Sequence, residues 1–285
     1  MTPASTSASR QLLPVVPLAA LFLAAFVLPL AALVLVSLFR DPQFSGLSPV
    51  QYVRFLSDPF SLKVLSDTLW LGAEVALATL ILAYPLALVY AGSRPVVRTL
   101  ITFLIMLPLL TSTVVRTFAW IVILGRDGIV NSAMLSLGLW DSPARLLYSW
   151  GGLVLALTQI QLPLMALPLI NSLLRLDGNL ARAAEGLGAG RVRAFVTVIL
   201  PLTLPGAIAG LLLVFAAAAT AFITQTLIGG GRIILMPSYI YQQSMGVQDW
   251  PFAAALSLIF TAAVIGIVAA IGALSRRLTR GLDAA

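Results

Sequence analysis

Long apolar blocks alternate with short polar stretches along almost the whole chain. Six of the blocks are long enough to cross a bilayer as α-helices, which requires about 20 residues each. Because backbone polar groups in lipid must be paired within their own segment, each block predicts a membrane-spanning helix. The predicted spans are residues 15–38, 68–90, 100–124, 151–174, 204–228 and 252–274. The pattern therefore predicts an all-α integral membrane protein with six transmembrane helices.

The polar stretches between the spans are too short to form a second domain. Residues 12–285 are predicted to form a single transmembrane domain, and residues 1–11, rich in Ser, Thr and Ala, a disordered cytoplasmic tail. An apolar piece at 129–139 is too short to span, which predicts an interfacial helix or a plug in an outer loop. Pro163 and Pro168 fall within the fourth span, where each removes a backbone donor and makes the helix irregular.

The loop between spans four and five, residues 175–201, contains a short amphipathic segment. Its apolar residues recur at helical spacing, at Leu176, Leu180, Ala183, Ala184 and Leu187. A helix that begins near Asp177 and ends at Gly188 or Gly190 fits this pattern. The helix is too short to span, so its apolar face needs another surface. That surface is either the inner leaflet or a groove on a cytoplasmic partner.

The composition removes several classes of function. The chain is 60% hydrophobic and 9% charged and has neither Cys nor His, which excludes disulfides, thiolate chemistry and the commonest metal ligands. Lys63 is the single lysine, so a phosphate-binding loop ending in Gly-Lys-Ser or Gly-Lys-Thr is absent. The net charge of +7 is scattered between apolar blocks, which argues against nucleic-acid binding. The chain is therefore predicted to be no enzyme and to bind no cofactor itself.

The basic residues indicate how the chain is oriented. With the N-terminus in the cytoplasm, ten arginines lie on the cytoplasmic side, six basic residues lie outside, and Arg116 lies within a span. Loops that face the cytoplasm carry an excess of Lys and Arg, so this orientation is favoured. Both chain termini are then predicted to be cytoplasmic.

Two charged residues are predicted to lie inside the membrane, Glu74 in span two and Arg116 in span three. An isolated charge in lipid is costly, so such residues pair, face water or reach the interface. Three interpretations remain open: a buried ion pair between Glu74 and Arg116, a role in a solute path, and snorkelling at the lipid edge.

Polar uncharged residues gather near the middle of spans four and five. They are Gln159 and Gln161 in span four, and Thr220, Thr224 and Gln225 in span five. Such side chains often hydrogen-bond within or between membrane helices without further function. As a set, they are also the best candidates for a polar pore lining.

The loop at 175–201 also carries a motif. Arg182-Ala183-Ala184 is followed at fixed intervals by Gly188, Val198 and Leu200-Pro201. This pattern resembles the loop signature of permeases of binding-protein-dependent ATP-binding-cassette (ABC) importers, which reads Glu-Ala-Ala, Gly, Ile and Leu-Pro at the same spacings. Arg182 replaces the usual Glu, and Glu185 could supply an acid one turn later.

A second segment narrows the resemblance. Residues 112–120, Ser-Thr-Val-Val-Arg-Thr-Phe-Ala-Trp, are followed by Ile123-Leu124, Gly128 and Asn131. This stretch is similar to the third span of spermidine/putrescine-type permeases of that superfamily. The resemblance implies a bacterial inner-membrane importer that moves a small solute such as a polyamine.

The resemblance also implies partners. Two permease subunits, here with a paralogue as the second, would pair above a dimer of ATPase subunits that binds ATP and Mg. A periplasmic or surface-exposed binding protein would deliver the solute, and membrane lipid would surround the spans. The residues implied in contacting the ATPase are those of the signature and its acid: Arg182, Ala183, Ala184, Glu185, Gly188, Leu200 and Pro201.

Two other classes of membrane protein fit the sequence less well than the importer. A self-contained, ion-coupled secondary transporter usually shows more buried acids and two related halves, whereas here Glu74 is the sole acid within the predicted spans. An intramembrane enzyme would need His, paired Asp or a Ser-Lys pair within the spans. The sequence offers none of these.

Overall fold

A computed structural model describes the backbone of residues 15–280 apart from residue 178. The predicted disordered tail at 1–11 therefore lies outside the described residues. Within them the chain is helical, and its β pairing is limited to an isolated bridge between Phe39 and Leu47.

Thirteen α-helices lie within the described part of the chain. In order they are α1 (Val15–Ser37), α2 (Val50–Ser57), α3 (Pro59–Gly92), α4 (Pro95–Leu109), α5 (Thr113–Leu124), α6 (Ile129–Ser136), α7 (Trp150–Leu174), α8 (Asn179–Gly186), α9 (Arg191–Ala194), α10 (Leu200–Ala219), α11 (Phe222–Gly229), α12 (Met236–Tyr241) and α13 (Trp250–Arg280). Two π-helical turns, Phe195–Ile199 and Gln242–Gly246, precede α10 and follow α12.

Six helical stretches of the described chain are long and apolar enough to cross a membrane. They are Ala20–Ser37, Pro59–Gly92, Thr113–Ser136, Trp150–Leu174, Val192–Ala219 and Trp250–Leu274. The six-span, all-α prediction is therefore confirmed.

Helix α3 is longer than the predicted second span, because it already begins at Pro59. The preceding residue, Asp58, caps this helix: its carboxylate accepts hydrogen bonds from the backbone N–H groups of Phe60 and Ser61. The Ser61 hydroxyl also donates to this carboxylate, and these bonds lower the pKa of Asp58.

The predicted third and fifth spans are not continuous helices. In the third, α4 ends at Leu109 and α5 begins at Thr113, after Ser112 adopts an extended conformation. In the fifth, α10 ends at Ala219 and α11 begins at Phe222. Hydropathy did not reveal either break, because the polar residues there, 111–113 and Thr220, are few beside the apolar residues on both sides.

The chain divides into two compact units. One comprises Met1–Leu62 with Ile240–Thr261 and the other comprises Lys63–Tyr239 with Ala262–Ala285. In the first unit, the buried Gln51 side chain donates to the Arg40 carbonyl at 2.9 Å. Arg54 forms a 2.7 Å ion pair with Asp249 and lies over the Phe252 ring. These contacts attach the short α2 helix to its own unit.

The core of the second unit is built mainly from α3, α7 and α10. Helices α7 and α10 approach closely because Gly206 and Gly210, four residues apart, face α7. A Cβ atom on Gly206 would lie 2.5 Å from Ser172 Cβ, and one on Gly210 would lie 3.2 Å from Met165 Cα. Small residues at this spacing let membrane helices pack backbone to backbone.

Candidate solute path and coupling segment

Helix α5 carries Arg116 and lies against α7 and α11. The Arg116 guanidinium donates to the Ile160 carbonyl of α7 at 3.3 Å and to the Thr113 hydroxyl at 3.3 Å. Its Nε atom is buried and has no hydrogen-bond partner. One side of this guanidinium is therefore held by the protein, while a donor remains unused.

The neighbouring turns of α5 extend this polar contact. Trp120 donates its indole N–H to the Gln159 side-chain oxygen at 3.0 Å, and Thr117 hydrogen-bonds Thr224 of α11 at 3.0 Å. Thr117 and Thr224 are fully or almost fully buried. Helix α5 thus brings together three of the predicted polar residues, Arg116, Gln159 and Thr224.

Glu74 hydrogen-bonds a neutral side chain rather than Arg116, its partner in one of the three interpretations that the sequence leaves open. Its carboxylate accepts a 2.7 Å hydrogen bond from the indole N–H of Trp150, at the start of α7. Among the described residues the ion pairs are Arg54–Asp249 and Lys63–Asp67, so a Glu74–Arg116 pair does not form here. The indole supplies a neutral donor, which sequence spacing could not identify. Glu74 therefore keeps its second carboxylate oxygen for another partner.

The predicted pore-lining residues of span five differ in their surroundings. Thr220 is exposed at the α10–α11 break and donates to the Ala216 carbonyl at 2.7 Å. Gln225 is 1% exposed, and its amide donates to the carbonyls of Ala218 and Ala219 at 2.7 and 3.1 Å. Gln225 thus satisfies the end of α10, where a helix leaves carbonyls unpaired.

Span four places its two glutamines differently. Gln159 lines a cavity of about 130 Å³ between α4 and α7, with Pro108 and Pro163 among its walls. Gln161 is 9% exposed, and the neighbouring Thr158 hydroxyl is buried without a hydrogen-bond partner.

The amphipathic loop segment folds as α8, Asn179–Gly186. Asp177 starts the helix by accepting a hydrogen bond from the Asn179 N–H at 2.9 Å. Gly188 ends it with a φ of +87°, a conformation that side chains disfavour. Leu187 is 89% exposed at this end. The Arg182 and Glu185 side chains lie outside what the structure describes.

The signature residues beyond Gly188 lead directly into α10. Helix α9 and the π-turn Phe195–Ile199 precede Leu200 and Pro201, which form the first turn of α10. Tyr84 of α3 hydrogen-bonds the Thr203 hydroxyl at 2.5 Å, and its ring makes an edge contact with Phe195. Sequence reasoning missed Tyr84, as it missed Trp150 and Thr117, since no pattern in the sequence marks a single partner on another helix.

Comparison with known proteins identifies the family to which this chain belongs. Residues 80–283 match the family model described as the binding-protein-dependent transport system inner membrane component. The chain belongs to this family. It is therefore an ABC importer permease, and in such importers ATP is hydrolysed by a separate subunit.

Relatives of this permease include polyamine systems. It is 37% identical over 210 residues to the spermidine/putrescine transport system permease protein PotB of Escherichia coli K12, which covers 74% of this chain and 76% of that protein. It is 34% identical over 203 residues to PotB of Haemophilus influenzae, covering 71% of each chain. It is also 32% identical to the molybdenum transport system permease protein ModB of H. influenzae over 208 residues, covering 66% of this chain and 87% of ModB.

Solved structures share the fold of this permease. A bacterial ABC transporter involved in the import of alginate matches with a TM-score of 0.77 and 18% identity, covering 95% of each chain. The same transporter type in complex with an alginate-pentasaccharide-bound periplasmic protein also matches, with a TM-score of 0.77 over 93% of each chain. Permeases of this family and the six apolar helices together indicate a multi-pass inner-membrane protein.

Proposed function

We propose that this permease imports a polyamine such as spermidine or putrescine into the cytoplasm. The observation that carries this proposal is the 37% identity to PotB over 76% of the PotB chain. The permease would pair with a second permease subunit, a paralogue, and take its solute from a periplasmic binding protein. The binding protein in the structurally similar alginate transporter supports such a partner.

We also propose that α8 and the turn that follows it couple this permease to the ATPase. Two features support this proposal. Leu187 exposes its apolar side chain at the end of the short α8 helix, and Gly188 ends the helix in a left-handed conformation. An apolar knob of this kind fits a groove on a partner surface. From α8 the chain continues through Leu200 and Pro201 into α10, so motion at α8 would reach the membrane. This arrangement requires α8 and both termini to be cytoplasmic, as the charge distribution favours.

The test is purification followed by transport. A tagged permease would be extracted from its host and its co-purifying proteins identified by mass spectrometry. The reconstituted complex would then be assayed for ATP-dependent uptake of radiolabelled spermidine and putrescine. Recovery of an ATPase, a second permease and polyamine uptake supports the proposal. Uptake of molybdate instead would assign the substrate class of ModB.

Glu74 is proposed to contact the cationic solute. Its carboxylate uses one oxygen for Trp150 and is the sole acid of the predicted spans. We expect Glu74→Gln to reduce polyamine uptake at least about tenfold, equivalent to ~1.4 kcal/mol, while the yield of the complex is unchanged. Uptake by reconstituted vesicles, compared with the amount of purified complex, measures this.

Trp150→Phe is the matched control for Glu74. It removes the indole donor but leaves the carboxylate charge, so a purely structural hydrogen bond would make both variants lose yield together. Equal uptake in Glu74→Gln and the unaltered permease would contradict a role for this carboxylate in the solute path.

Leu187 is expected to anchor the ATPase subunit. Replacement by Asp puts a charge into an apolar contact, and a buried hot-spot residue at an interface is worth about 2 kcal/mol or more. We expect Leu187→Asp to lower the ATPase recovered per permease by at least about tenfold. Leu137→Asp is the control, since Leu137 is also exposed, at 68%, and follows α6 on a predicted outer loop. Full ATPase recovery with Leu187→Asp would place α8 on the lipid surface instead.

A further inference from the structure

Two arginines on a predicted outer loop face one cavity. Arg126 and Arg145 line a cavity of about 420 Å³, whose remaining walls are Leu124, Pro143, Ala144, Leu146, Leu147 and Tyr148. Both side chains are exposed, and neither makes a hydrogen bond or ion pair with any described residue. Asp127 and Asp141, although near in sequence, do not pair with them. The cavity therefore presents two uncompensated positive charges.

A single buried amide fixes the two backbone segments that carry these arginines. Asn131 is 0% exposed, and its amide nitrogen donates to the Gly125 carbonyl at 2.9 Å and to the Ala144 carbonyl at 3.1 Å. Its side-chain oxygen accepts from the Ala144 N–H at 2.8 Å. Gly125 and Ala144 directly precede Arg126 and Arg145. One side chain thus holds both arginine-bearing segments at a fixed separation.

Further contacts make the frame around this cavity rigid. The Leu147 N–H donates to the Leu124 carbonyl at 3.2 Å, and the Tyr148 N–H donates to the Ile228 carbonyl at 3.1 Å. Gly128 has no room for a side chain, because a Cβ atom would collide with the Val122 carbonyl. The cavity is therefore preformed, which lowers the entropic cost of binding a partner.

The chemistry of the cavity selects an anion. Guanidinium groups bind carboxylates through paired N–H donors, and such charge-assisted bonds are stronger than neutral ones. A polyamine carries positive charge, so the two arginines would repel it and the cavity would not bind that solute. An importer that depends on a binding protein brings such carboxylates to its outer face, on the surface of the binding protein.

We propose that the Arg126–Arg145 cavity receives an acidic side chain of the solute-binding protein and positions that protein over the permease. This inference rests on the proposed function, because it requires that a binding protein docks from the outer side. Docking through charged groups accelerates encounter and fixes orientation. It also makes the interaction sensitive to salt, because ions screen exposed charges.

The test uses the complete complex in nanodiscs of phosphatidylcholine, with the purified binding protein titrated in. The double variant Arg126→Gln/Arg145→Gln should raise the KM of ATPase stimulation for the binding protein about tenfold, equivalent to ~1.4 kcal/mol. ATPase activity at saturating binding protein and basal activity should stay unchanged. The salt dependence of KM should become shallower than in the unaltered complex.

Arg232→Gln is the control for loss of positive charge elsewhere, since Arg232 lies on another predicted outer loop and does not line this cavity. An unchanged KM in the double variant, alongside normal stimulation of the unaltered complex, overturns the inference and leaves the proposed function standing. An effect that appears only when phosphatidylglycerol is present assigns the cavity to lipid and also overturns it. If the binding protein fails to stimulate even the unaltered complex, the proposed function falls with it.

Discussion

Gly206→Val is expected to abolish recovery of the folded permease. A Cβ atom at this position would lie 2.5 Å from Ser172 Cβ and 2.8 Å from the Pro168 carbonyl oxygen. Neither atom can move without shifting α7, because one is bonded to its backbone and the other belongs to it. Overpacking of this kind costs about 1–3 kcal/mol for a modest addition, and a branched side chain adds more atoms to the same collision. Monodisperse yield on size exclusion in mild detergent measures the effect.

Two controls separate packing at Gly206 from general effects of adding bulk. Gly266→Val places the same side chain in α13, where no atom outside the local backbone lies within 4 Å of the new Cβ, and should leave the yield unchanged. Gly206→Ala adds only the Cβ atom and should also lower the yield, and Ser172→Gly, which removes one of the two colliding groups, should partly restore it. Normal yield of Gly206→Val would show that α7 and α10 do not pack through this glycine.

Gln225→Leu is expected to destabilise the break between α10 and α11. It would strip the carbonyls of Ala218 and Ala219 of their side-chain donor in a region that excludes water. The Ala218 carbonyl keeps a 3.3 Å hydrogen bond from the Ala221 N–H, whereas the Ala219 carbonyl loses the Gln225 amide. One buried polar group left without a partner costs about 1–3 kcal/mol, which is the loss of stability we expect. The melting temperature of the detergent-solubilised complex should fall clearly.

Thr220→Val tests the same break without touching the buried amide. Thr220 is exposed, and its backbone N–H also donates to the Ala216 carbonyl, so losing the hydroxyl should change the melting temperature little. A melting temperature equally insensitive to Gln225→Leu would mean that the carbonyls of Ala218 and Ala219 find other donors. The break would then be maintained without Gln225.

Hydropathy and periodicity predicted the six spans and the short helix in the fourth loop. They succeed there because each depends on a run of neighbouring residues: about 20 apolar positions for a span, or leucines at helical intervals such as Leu176 and Leu180. The break between α10 and α11 was missed because Gln225 acts on carbonyls six and seven residues earlier in the chain. A backbone cap supplied from a following helix leaves no local signal in the sequence.

The sequence identified the charged residues of the candidate site, but it did not identify their hydrogen-bond partners. Glu74 and Arg116 stand out in any apolar sequence, and opposite charges suggest an ion pair. The structure instead gives each a partner that is invisible to charge counting, the Trp150 indole and the Ile160 carbonyl. Pairings across 44 or 76 residues depend on how helices rotate against each other, and the side chains that decide this rotation are ordinary apolar residues.

The π-turn at Phe195–Ile199 sits inside a helical stretch that runs from Val192 to Ala219, 28 residues in all. At about 1.5 Å per residue this stretch is roughly 42 Å long, which exceeds the ~30 Å hydrocarbon thickness of a bilayer. Val192 begins this stretch, Leu213 lies in its second half, and both side chains are well exposed. Spin labels at these two positions would distinguish a helix that tilts as a whole from one that bends at the π-turn. A constant distance between the labels during ATP turnover indicates tilting. A changing distance indicates bending.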